Sequence, residues 1–203
     1  MSDPPAGRRF LQTTILTSAF LSADVLIVGT VLGSAKLAPY ALATKLVGAL
    51  AVLPVATMRI SLSWAARGEG PSARDEVRTG ARLGLAIAVG GVVAGPFVAS
   101  ILFGHGYGHA MTDPLRILAL NLFVVAIQAP LAGRHLGAGD TALVARAAAL
   151  TLALALVLIP VGTLTIGTAG AAGGVLLAQV GGSIPYLRAR ARDGWSLRDL
   201  VPA

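Results

Sequence analysis

The sequence contains no cysteine. That absence removes disulfides, thiolate zinc sites and cysteine nucleophiles together. Charge is scarce as well. Asp, Glu, Lys and Arg make up 12% of the 203 residues, against about 25% in a soluble globular domain. So few charges cannot cover a water-exposed surface. No phosphate-binding P-loop is present, which argues against ATP-driven work by this chain alone. No serine–histidine–acid set and no paired carboxylates stand out. An enzyme is therefore not expected, and neither is a metal or an organic cofactor.

What fills the chain instead is apolar: 55% of its residues, with a mean hydropathy of +0.78. These residues fall in six blocks, Phe10–Leu32, Ala38–Trp64, Leu83–Phe103, Leu115–Leu131, Ala142–Ile166 and Ala171–Leu187. Runs of about 18 or more apolar residues read as membrane spans. A backbone in lipid must satisfy its own hydrogen bonds, so all six blocks are expected to be helices. The expected fold class is all-α, a polytopic membrane helix bundle with about six transmembrane helices. Its domain plan is a short N-terminus (1–9), the bundle (10–187) and a basic tail (188–203), with no soluble domain. The first block follows Arg8 and Arg9 in the manner of a signal peptide, but Asp24 and five further blocks favour a retained helix.

The net charge of +7 sits between the blocks rather than in a basic domain, so nucleic acid is not the expected partner. Arg8, Arg9, Arg67, Arg74, Arg78, Arg82, Arg134, Arg146, Arg188, Arg190, Arg192 and Arg198 are twelve of the sixteen cations, and they share one side of a six-span layout. The opposite loops offer Lys36 and Arg116. The positive-inside rule places both ends in the cytoplasm. The tail, with Trp195 and Leu197, reads as solvated rather than as a segment on the anionic leaflet.

Charges within apolar blocks are costly and mark either pairing or function. Asp24 lies nine residues before Gly33, and Lys45 lies eight after Leu37. At about 1.5 Å per residue both sit roughly 12–14 Å below the outer surface. That common depth suits an Asp24–Lys45 ion pair, which either locks two helices or lies on an ion or substrate path. Arg59 follows Lys45 by fourteen residues, which returns it to within about 40° of the same helix face. Lys45, Arg59 and Ser63 thus form one stripe, and a cationic stripe suits an anionic headgroup such as a phosphate. Arg59 also fits simple snorkelling toward the surface marked by Arg67.

Thr13 and Thr17 share the face of Asp24. Asn121 and Gln128 share a face of the fourth block, and Gln179 is their counterpart in the sixth. Such amides more often join helices than bind solutes. Pro54, Pro96, Pro130 and Pro160 interrupt four blocks, and Pro185 lies near the end of the sixth. The pairs Gly29/Gly33, Gly91/Gly95 and Gly170/Gly174 permit close helix contact. Residues 104–109 read GHGYGH. Their alternating glycines predict a flexible outer turn rather than a helix presenting two histidines to a metal.

Several segments resemble the bacterial polysaccharide flippases, a family of the MATE-like superfamily. From Asp24 to Leu46 the matching residues are Asp24, Gly29, Gly33, Tyr40, Ala43 and Lys45. Further similar stretches run over Ile101–Leu120, His135–Leu150 and Gly167–Gln179, in the order of that family's C-terminal half. The resemblance implies one lobe of a MATE-like flippase fold in a bacterial inner membrane. It also implies translocation of polyprenyl-diphosphate-linked saccharides through a central cationic cavity between two rocking six-helix bundles. Carried over, Lys45 and Arg59 become substrate contacts, and Asp24 becomes their partner or an ion-coupling group. This chain has six blocks where the family has twelve to fourteen spans. A homodimer or a separately encoded second half would have to supply the rest. An even span count gives a second copy the same orientation, as parallel repeats require. The competing readings are a non-transporting membrane subunit or truncated remnant, and a cation-coupled exporter of the same superfamily.

Overall fold

The structure, a computed structural model, describes Ile15, Phe20 and residues 23–192. The expectations for Arg8, Arg9, Thr13, Thr17, Trp195, Leu197 and Arg198 lie outside the described residues. Among those described there is no strand. Nine helices follow in order: α1 (Ala23–Leu32), α2 (Ser34–Leu50), α3 (Val52–Arg67), α4 (Ala73–Val93), α5 (Gly95–Phe103), α6 (His105–Gly137), α7 (Thr141–Ile166), α8 (Thr168–Gly182) and α9 (Ile184–Arg192). The expected all-α bundle is the observed fold.

Local chemistry sets these boundaries. Gly33, at φ 76°, turns the chain from α1 into α2. Gly68, at φ 69°, ends α3 in the left-handed region, which a side chain would resist. Ser72 caps α4 by accepting the Asp75 N–H at 3.2 Å, and Asp75 and Glu76 place negative charge in its first turn, where the helix dipole favours it. Asp140 caps α7 through the Leu143 N–H at 3.2 Å.

The six apolar blocks map onto these helices with shifted ends. α2 and α3 run on through Ala51 as one 34-residue helix, Ser34–Arg67. Together with α6 and α7 it is long and apolar enough to cross a membrane. α4 and α5 make a fourth crossing only as a pair bent by 53°. α1 is shorter in its described part, and α8 gives way to α9 at Ser183. Three of the five prolines noted above explain the junctions. Pro54, Pro96 and Pro185 each follow shortly after Ala51, Ala94 or Ser183. Pro130 and Pro160 lie inside continuous helices.

Two expectations are corrected here. GHGYGH is not a turn. Gly104, at φ 81°, is the cap, and α6 begins at His105. Gly108 packs directly on Ser100 of α5, so tertiary contact overrides the low helix propensity of glycine. The long loop between the second and third blocks is also mostly helix, leaving only residues 68–72 unwound.

α6 is the central helix, packed against α2, α3, α4, α5, α7 and α8, while α7 lies along α8. Its neighbours come close because glycines meet backbone. Gly133 faces the Met58 carbonyl of α3 and Gly137 the Leu62 carbonyl, while Gly80 of α4 faces the Ala126 carbonyl of α6. Of the expected pairs, Gly170/Gly174 packs α8 onto Gly162 and Leu158 of α7, and Gly91/Gly95 packs on Ala119 and Leu115 of α6. Among the described residues, Gly29 meets the Leu37 side chain and Gly33 meets nothing within 4 Å. Outside, aliphatic and aromatic side chains such as Leu26, Val52, Val93, Phe97, Leu164 and Leu177 are exposed. So continuous an apolar coat suits lipid rather than water.

Candidate functional site

A cavity of about 550 Å³ opens among α1, α2, α3, α6, α7, α8 and the start of α9. Its walls are mainly aliphatic. The polar groups reaching it are Asp24, Thr44, Asn121, Gln128, Thr151 and Gln179, with Tyr186 contributed by α9. An apolar chamber with a few convergent polar groups is the usual form of a small-ligand site.

Among the described residues Asp24 is its one carboxylate. It is buried, and its Oδ2 accepts a hydrogen bond from the Tyr40 hydroxyl at 3.0 Å, while Oδ1 accepts from the Val25 N–H at 2.7 Å. Tyr40 is itself fully enclosed. The expected Asp24–Lys45 ion pair is not among the described contacts, and the geometry of the turn shows why. α2 starts at Ser34, three residues before the assumed origin Leu37. Counted from Gly33, Asp24 lies about 13 Å along α1, Tyr40 about 10 Å along α2 and Lys45 about 18 Å along it. Tyr40 is about 3 Å from the level of Asp24 and Lys45 about 5 Å from it, and Tyr40 lies on the buried face of α2 that meets it. Tyr40, Ala43 and Val47 form the buried face of α2, and Lys45 points away from it.

Lys45 and Arg59 are both exposed, and neither lines the cavity. The lane of Thr44, Gly48, Ala51, Val55 and Met58 faces the chamber. Lys45, Val52, Ala56, Arg59 and Ser63 lie along the neighbouring outer stripe. Ser63 spends its hydroxyl on the Ile60 carbonyl at 2.8 Å. The sequence stripe thus exists, but it lies outside the lobe.

The amides divide. Gln128 and Gln179 pair with each other, and Gln128 also donates to the Gln179 carbonyl at 2.8 Å and to Ser183. They tie α6 to α8, as expected of intramembrane amides. Asn121 is buried, and its Oδ1 has no hydrogen-bond partner among the described residues. An unmet buried acceptor is expensive, and here it borders the chamber.

Sequence reasoning missed a further polar group near the Arg67 end of the bundle. Glu76 of α4, its side chain 5% exposed, pairs with Arg134 of α6 at 3.4 Å. Arg134 also donates to the Pro71 carbonyl at 3.2 Å. In sequence Arg134 reads as one more loop cation, and Glu76 carries no sign of burial. Their mutual distance in sequence hides the pairing, and no local pattern announces it.

One solved structure shares this fold, with a TM-score of 0.74 at 21% identity. It is a MOP superfamily transporter from Pyrococcus furiosus, whose binding pocket of reverse polarity suggests a different function for that protein. The match covers 96% of this chain and 46% of that one. The chain thus spans less than half the length of the transporter it matches. No protein-family model matches the sequence, and no curated protein does. The likeness establishes the fold alone: an all-α bundle that superposes on just under half of that transporter's chain.

Proposed function

We propose that this chain is one lobe of a two-lobe transporter that moves a polyprenyl-diphosphate-linked saccharide across a bacterial inner membrane, with both ends cytoplasmic. The observation that carries this reading is the outer cationic stripe. Lys45 and Arg59 are fourteen residues apart on one continuous helix, or about 21 Å along its axis. The hydrocarbon layer is about 30 Å thick. At least one of the two Cα atoms therefore lies inside it, carrying an exposed cation. Such charges face protein or a water-filled cleft rather than acyl chains. A second bundle against this face, either another copy or a separately encoded half, would enclose both cations in a cleft fit for a diphosphate. Asp24, inside the lobe, is then a candidate ion-coupling group rather than a substrate contact.

The test is flipping of a fluorescent polyprenyl-diphosphate saccharide in proteoliposomes, with cross-linking as its companion. Lys45→Ala and Arg59→Ala are expected to abolish flipping while leaving insertion intact. Full activity in both variants refutes the cleft. The cysteine-free background makes Val52→Cys and Ala56→Cys clean reporters, expected to cross-link to a second bundle. A stable lone monomer would favour the non-transporting subunit or remnant. One observation favours another reading, a cation-coupled exporter of the same superfamily: the mainly aliphatic chamber itself, with Asp24 on its wall. Asp24-dependent export of a lipophilic cation, without lipid flipping, would select it.

A further inference from the structure

The helix α4 carries two lanes of different chemistry. Val77, Gly80, Ala81, Gly84 and Ala88 are buried toward the bundle. On the outside, Arg74, Arg78, Arg82, Leu85, Val89 and Val93 follow at spacings of four, four, three, four and four residues. At about 100° per residue these six stay within a sector of about 100°. Arg74 and Arg82 are exposed, Arg78 is half-buried, and Leu85, Val89 and Val93 are exposed at 48%, 54% and 74%. One face thus presents guanidinium groups at one end and a bare aliphatic strip above them.

Two details separate this face from an ordinary basic membrane boundary. The acids of the first turns are engaged elsewhere: Asp75 accepts from Ser72 at 2.6 Å, and Glu76 pairs with Arg134. The Nε of Arg78 is also buried without a hydrogen-bond partner among the described residues. A buried guanidinium nitrogen calls for an acceptor, and guanidinium matches phosphate oxygens best. From Arg82 to Val93 the strip is about 16 Å long, close to half of the roughly 30 Å hydrocarbon layer, the reach of one acyl leaflet.

We propose that the outer face of α4 is a binding site for an anionic phospholipid, its phosphate held by Arg78 and Arg82 and an acyl chain lying along Leu85, Val89 and Val93. A basic cluster at the end of a membrane helix recognises acidic headgroups through such contacts. The site requires the chain to lie in a bilayer but does not depend on transport, so it stands or falls separately from the flippase reading.

The test uses the purified full chain in detergent micelles, with palmitoyl-oleoyl phosphatidylglycerol or phosphatidylcholine added and lipid retention read by native mass spectrometry. Two arginines, each strengthening contact with anionic lipid about fivefold, predict a preference for phosphatidylglycerol of about tenfold or more. The variant R78Q/R82Q is expected to lose that preference. R146Q, which removes an exposed cation on α7, is expected to keep it. Equal retention of the two lipids by the unaltered protein overturns the proposal. So does a loss in R146Q as large as in R78Q/R82Q, since only diffuse positive charge would then be at work. If the double variant fails to fold, a photoreactive phosphatidylglycerol decides on the unaltered chain. Adducts should concentrate between Arg82 and Val93, and an even spread over the other exposed faces overturns the site.

Discussion

Adding one carbon at Gly133 should destabilise this protein, whereas adding the same carbon at Gly173 should stabilise it. Gly133 sits where α6 crosses α3. A Cβ there would be driven into the Met58 carbonyl oxygen, 3.0 Å from its carbon and 3.1 Å from the Leu62 nitrogen. All three obstacles are backbone, so no rotamer change relieves them and α3 itself has to move. Overpacking of this kind costs about 1–3 kcal/mol, and a backbone obstacle puts it near the upper end. Alanine returns about 1 kcal/mol of helix propensity, leaving a net loss of about 2 kcal/mol for Gly133→Ala. At about 2–4 °C per kcal/mol for a chain of this length, the melting temperature should fall by roughly 4–8 °C. Gly173 of α8 has no atom of the described residues within 4 Å of an added Cβ. There only the propensity gain of about 0.5–1 kcal/mol remains, a rise of a few degrees.

The assay is thermal unfolding in detergent followed by far-ultraviolet circular dichroism. The double variant adds a second check. Gly137→Ala pushes on the same helix at Leu62, so the two penalties should sum to less than their separate values once α3 has shifted. A Gly133→Ala protein that melts at or above the unaltered temperature would refute the close α3–α6 crossing, and with it the reason for a glycine there.

Two further outcomes follow from the polar groups. Tyr40→Phe removes the side-chain donor that Asp24 meets on α2 and should cost about 1–3 kcal/mol, while Asp24→Asn keeps an acceptor for the Tyr40 hydroxyl and should cost less; the opposite order in thermal melts would show that the pair does not act as drawn. Arg134→Gln removes the ion-pair partner of the buried Glu76 carboxylate, leaving it the Ser61 hydroxyl and the charge of Arg190, and should destabilise more than Glu76→Gln, which leaves only the partly exposed guanidinium behind; equal losses in chemical unfolding would count against a pairing that matters.

Much of the fold was legible because lipid simplifies the code. Apolar length alone located six blocks, and their helical state followed from hydrogen bonding rather than from propensity. The ends were less legible. α6 begins ten residues before Leu115 because Gly108 packs on Ser100, a contact between helices that no local glycine rule contains. The polar residues were legible as individuals and poorly as pairs. Asp24 announced itself as a buried acid, but its partner depended on where α2 starts. A three-residue error there moves the opposite position by nearly a full helical turn, from Tyr40 toward Lys45. The Gln128–Gln179 tie was expected in kind, since intramembrane amides seek one another. The Glu76–Arg134 pair was not, because both residues look like ordinary loop charges in sequence.

The two polar surfaces on α1–α3 pose different solvation problems, and the chain solves only one of them. Asp24 meets two donors within the lobe, so its burial is compensated by this chain alone. Lys45 and Arg59 meet no described partner and point outward from a stretch, Ala38 to Ala66, whose other exposed positions are apolar. If the helix sits symmetrically in the bilayer, each Cα lies about 4–5 Å inside the hydrocarbon. Any axial shift that frees one cation drives the other deeper by the same amount. Full extension of both side chains toward opposite headgroups would relieve the charge, at the cost of the rotamer freedom of two long side chains. Covering the stripe with a second bundle removes that cost and supplies water or an anion to both groups at once. A monomer in lipid should therefore hold these side chains splayed apart. An assembled pair of lobes should let them converge on one ligand, so Lys45→Leu should make the isolated lobe more stable even as it removes the proposed transport.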